Sequence, residues 1–96
     1  MITAAEAKKN VEAYETALFQ KTCDGVMTQL DTMSAIIEFH SRNGKRQTVF
    51  TPYDKSLFPS SEMLNMARNI FDSILKQNGY TIIENDCQKN LLKVQW

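Results

Sequence analysis

The chain has 96 residues, 43% of them apolar, and its 11 basic and 11 acidic side chains cancel. One domain is expected at that length, and a neutral chain lacks the overall field that would draw it to duplex nucleic acid or a membrane surface. Cys23 and Cys87 form no C-x-x-C pair and cannot build a disulfide framework, which suits a reducing compartment.

Charge arrives at Glu6, Lys8 and Lys9, before an apolar signal-peptide region could form. No stretch approaches the roughly 20 apolar residues of a membrane span. Thr3-Ala4-Ala5-Glu6 then reads as a capping box, with Ile2 placed to staple onto Ala7. Without proline from Thr3 to His40, the sequence predicts one long helix. At 1.5 Å per residue it would reach roughly 57 Å, against about 30 Å for the diameter of a compact chain this size. Such a rod must double back or be covered by a second copy.

Two apolar series run along it. Ala4, Ala7, Val11, Tyr14 and Leu18 keep a three-four spacing; Phe19, Cys23, Val26, Leu30, Met33 and Ile37 keep another, offset by one residue. That offset turns the stripe by about 100° and predicts a change of packing partner, with the larger second-half side chains against the core. Asp24-Gly25 follows the jump. It is either a glycine absorbed by a continuous or kinked helix, or the break of a helical hairpin spanning residues 1–43. Asn43-Gly44 stops the helix, with Arg42, Lys45 and Arg46 at the negative end of its dipole.

Residues 44–96 read as a small αβ unit. Gln47 to Thr51 carries a short strand signal, and Pro52 to Pro59 is bracketed as a loop. A second helix is capped by Ser60 or Ser61. Its apolar face is Met63, Leu64, Ala67, Ile70, Phe71, Ile74 and Leu75, and it ends at Asn78-Gly79-Tyr80. Strands at Tyr80–Glu84 and Leu91–Trp96 flank a polar turn. Burial is expected for Ile82 or Ile83 and for the Leu92-Val94-Trp96 row. The expected fold is α+β: a long N-terminal helix followed by a β-α-β-β unit with a three-stranded sheet.

Met1-Ile2-Thr3-Ala4-Ala5-Glu6-Ala7, the Gly79-Tyr80 junction and the closing Leu92-Lys93-Val94-Gln95-Trp96 resemble small accessory proteins of tailed bacteriophages. The longer first helix and the Pro52–Pro59 loop depart from that pattern. The resemblance implies a phage origin and little chemistry, and it carries over no functional residue; the expected place of action is the host cytoplasm.

Chemistry of the catalytic kind finds few candidates. His40 is the only histidine and has no ligand at metal spacing, Cys87 has no obvious base beside it, and Glu12 and Glu15 read as a solvated helix face. No phosphate loop, nucleophile elbow, zinc motif or cofactor motif is present. The reading is a non-enzymatic binding protein. One feature suggests a ligand: Arg42, Lys45, Arg46 and Lys55 interleave with Phe50, Tyr53 and Phe58. Cations that fork onto phosphates beside rings that stack suit a nucleotide, whereas helix capping and loop solubility explain the same cations without one. The candidate binding residues are Arg42, Lys45, Arg46, Tyr53 and Lys55, with self-association through the N-terminal helix doubling the patch. The expected role is counter-defence, by capture of a nucleotide signal or by blocking a host protein. A structural or assembly role in the virion is the alternative, and a small nucleic-acid regulator is weaker because the net charge is zero.

Overall fold

The computed structural model describes all 96 residues as α1 (Ala4–Arg42), β1 (Gln47–Phe50), α2 (Ser61–Gln77), β2 (Thr81–Asp86) and β3 (Leu91–Gln95). The fold is α+β, with the long helix leading into a β-α-β-β unit. The molecule measures 63 × 23 × 19 Å, and no helix is long and apolar enough to cross a membrane.

The Thr3 hydroxyl accepts the Glu6 amide at 3.1 Å, which starts α1 as its capping box requires. The helix runs unbroken through Asp24-Gly25, so the hairpin reading is excluded. Gly25 is there for packing: a Cβ on it would lie 2.8 Å from Phe58 Cε1 and 3.5 Å from Leu57 Cβ. Asn43 caps the C-terminus, and Gly44 at φ 80° turns the chain into β1.

The sheet order is β1-β3-β2, antiparallel throughout. Phe50 pairs with Leu92, and Val94 lies between Thr48 and Ile82, so alternation places these residues together on the helix-covered face. A register shift between Ile82 and Glu84 leaves Ile83 exposed. Helix α2 is capped by the Ser60 hydroxyl, which accepts the Met63 amide at 3.2 Å. It buries Met63, Ala67, Phe71 and Leu75, and its end turns at Gly79 (φ 87°), where the Tyr80 amide donates to the Leu75 carbonyl.

The Pro52–Pro59 segment is the expected loop, and its Pro52, Tyr53 and Phe58 are buried. Two expectations need correction. Trp96 lies beyond β3, half-buried, with its ring edge-on to Tyr80 at 6.4 Å. Phe19 is 53% exposed, although Leu18 beside it packs against the core.

Candidate interaction surface

Helix α1 has two different environments. Val26, Met33 and Ile37 join the core, with Leu30 and Ile36 packed against it. No residue before Thr22 is buried. Residues 4–17 therefore form about 21 Å of helix standing clear of the body, and Leu18 is the first residue of α1 to pack against the core. On this segment Val11 is 54% and Tyr14 62% exposed, while Ala7 and Leu18 are half-buried. The three-four series of the first half is thus an apolar line that is open at Val11 and Tyr14 and runs into the core at Leu18.

That line ends abruptly. Gly25, seven residues beyond Leu18 and on the same side of the helix, lies buried under Leu57 and Phe58. Asp54 builds the loop that covers it. Its carboxylate accepts the Ser56 amide and hydroxyl, each at 2.8 Å, and its carbonyl accepts the Leu57 and Phe58 amides. The Ser56 backbone bond, then the hydroxyl bond, hold the Asp54 carboxyl below its ordinary pKa.

The cations expected to share a ligand do not share a surface. Arg42 forms a 2.6 Å ion pair with Glu38, both side chains well exposed. Lys45 and Arg46 follow in the turn, where the Arg46 carbonyl accepts the Trp96 amide at the end of β3. Tyr53 and Lys55 lie at the other end of β3: the Tyr53 amide donates to Asn90 Oδ1 at 2.7 Å, and both residues line a cavity with Cys87, Gln88 and Asn90. The length of β3, roughly 17 Å at 3.4 Å per residue, separates the two groups.

Tyr53 is 3% exposed and is a core residue, with its ring edge-on to Phe71 at 5.6 Å. Its hydroxyl donates to Asn85 Oδ1. Asn85 in turn donates from Nδ2 to the Arg68 carbonyl, while Arg68 Nε donates to the Asn85 carbonyl at 3.0 Å. Burial, then the nearby Cys87, pushes the Tyr53 phenol well above its ordinary pKa. This network ties the loop to α2 and β2 and leaves the ring no free face for stacking on a base. Sequence reasoning missed it because the bonded residues are far apart in the chain.

No group of three or more His, Cys, Asp or Glu side chains is placed to hold a metal ion. The half-buried His40 has its Nδ1 without a hydrogen-bond partner. Cys87 Sγ lies 3.6 Å from Asn65 Oδ1, a contact without a base. The first half of α1 offers a partner an exposed apolar row at Val11 and Tyr14. No protein-family model, curated protein or solved structure matches the chain.

Proposed function

We propose that this chain acts by binding rather than by catalysis, as a homodimer joined through residues 4–21 of α1. The observation that carries this reading is the exposed Val11-Tyr14 line on the part of α1 that precedes the first core contact at Leu18. A lone exposed apolar residue is ordinary, but a spaced row on a projecting helix has the form of a coiled-coil seam. Each large side chain that a partner covers fully contributes about 1.5–3 kcal/mol.

In this reading the dimer is a phage accessory protein of the host cytoplasm, and it blocks a host protein with its αβ bodies. Capture of a nucleotide has less support, since Arg42, Lys45 and Arg46 are separated from Lys55 and the Tyr53 ring is enclosed. The exposed seam also favours one second reading, a virion or assembly component whose helix contacts a neighbouring structural protein.

Sedimentation equilibrium tests the proposal. A particle of twice 11.0 kDa at micromolar concentration supports it, and an 11.0 kDa particle at every concentration overturns it. Mass spectrometry of purified virions separates the readings, because detection there favours the assembly role.

A further inference from the structure

The seam specifies which way the second copy lies. Resting on the homodimer proposed above, we infer that two α1 segments pair antiparallel, with Ala7 against Leu18 of the second copy and Val11 against Tyr14 of the second copy. The dyad then falls between Glu12 and Ala13.

Size is the first argument. The pairing sets the smallest seam residue opposite a large one, and each contact occurs twice by symmetry. Ala4 meets the stem of Lys21, whose ammonium reaches water past the small side chain.

Charge is the second. Lys8 and Glu15 occupy the same flank of the seam, and antiparallel helices bring equivalent flanks together. Lys8 of each copy therefore meets Glu15 of the other, twice. Within a single chain neither residue has an ion-pair partner; the ion pairs are Arg42–Glu38 and Lys76–Asp72.

The body fixes the register. Gly25 continues the seam but is covered by Leu57 and Phe58. Sliding the second copy one heptad toward the body would press its Ala7 into that loop. Sliding it one heptad away would set Tyr14 against Ala4 and leave the open side of Leu18, whose other side packs on its own core, without a partner. The chosen register brings the start of one α1 up to the edge of the other body and uses every seam residue. A parallel pair would face Lys21 with Lys21 and would crowd both loops at one end of the helices.

The assembly is a rod with a body near each end. The two Arg42-Lys45-Arg46 turns lie roughly 90 Å apart at 1.5 Å per residue, too far to share one small ligand.

Charge reversal tests the register on the full chain. Lys8→Glu and Glu15→Lys should each weaken dimerisation about tenfold by sedimentation, and the double variant should recover to within about threefold of the parent. A second measurement uses a Cys23→Ser chain carrying Val11→Cys and Tyr14→Cys, which should oxidise to a covalent dimer while Val11→Cys alone does not. A dimer in which the double reversal stays as weak as the singles, or in which Val11→Cys alone cross-links, overturns the antiparallel register and leaves self-association standing. A monomer at all concentrations overturns both, and binding only to a foreign helix does the same.

Discussion

Gly25 lies beneath the ring of Phe58, so close that a methyl group on the glycine would come within 2.8 Å of Cε1. Phe58 is fully buried and meets Phe71 edge-on at 6.4 Å, so its ring cannot move aside freely. An exposed glycine in a helix interior would gain about 1 kcal/mol on change to alanine. Here the sign reverses. Gly25→Ala is expected to destabilise the protein by about 1–3 kcal/mol in urea unfolding. Adding Phe58→Leu should recover part of that loss, and a gain in stability from Gly25→Ala alone would refute the close packing.

The Tyr53 hydroxyl donates to Asn85 inside the core. Tyr53→Phe leaves that acceptor unpaired and should cost about 1–3 kcal/mol, measured by the same unfolding assay. The pH dependence follows from the raised phenol pKa. Unfolded tyrosine ionises near about pH 10, whereas the folded phenol keeps its proton to higher pH. Stabilisation from this group is fully present below that point and falls as pH rises above it, by up to about 1.4 kcal/mol per pH unit. Tyr53→Phe should lack this portion of the alkaline slope.

These two contacts also show which parts of the fold could be read in advance. Thr3 and Ser60 announce their helices because a cap acts over three residues, and the α2 face is legible because its spacing is local. Leu92 and Val94 alternate as a half-buried strand should. The loop around Tyr53 has no period. Its burial depends on Gln29 donating to the Pro52 carbonyl and on Asn90 accepting from Tyr53, partners far along the chain. Proximity in sequence likewise made Lys55 a neighbour of Arg46, while β1 carries the chain from one end of the sheet to the other. The α1 seam was visible as spacing, but spacing gives an angle around the helix and not how far the body extends along it. Leu18 packs on the core while the next residue, Phe19, stays 53% exposed.

Gly79 reaches φ 87° where α2 turns into β2, and a Cβ there would meet nothing within 4 Å. Steric packing is therefore absent from the cost of Gly79→Ala, and only the left-handed backbone matters. The expected loss is about 1–2 kcal/mol, seen as a lower Tm. Gly79→Asn should lose less, because asparagine tolerates that conformation better.

Arg42 and Glu38 form their ion pair on an exposed helix end. Arg42→Ala should change stability by no more than about 0.5 kcal/mol, since solvent screens such pairs. Cyclic and linear nucleotides at about 1 mM should leave the Tm of the parent chain unchanged, because a ligand raises Tm only by binding the native state. A clear rise abolished by Arg46→Ala would restore the nucleotide reading and locate its site in the α1–β1 turn.

Val11 and Tyr14 project from a part of α1 that contributes nothing buried to the core. Replacing both with serine removes apolar surface from the proposed dimer seam without opening a cavity in the body. A dimer is stabilised by its own concentration, so the parent Tm should rise as protein is added. In the Val11→Ser, Tyr14→Ser chain the Tm should become independent of concentration, and sedimentation should give 11.0 kDa. Far-ultraviolet circular dichroism should show helix lost mainly from the exposed segment, since an isolated helical stretch of this length is marginal in water. If the variant keeps the parent's mass and concentration dependence, the seam is not what joins the copies.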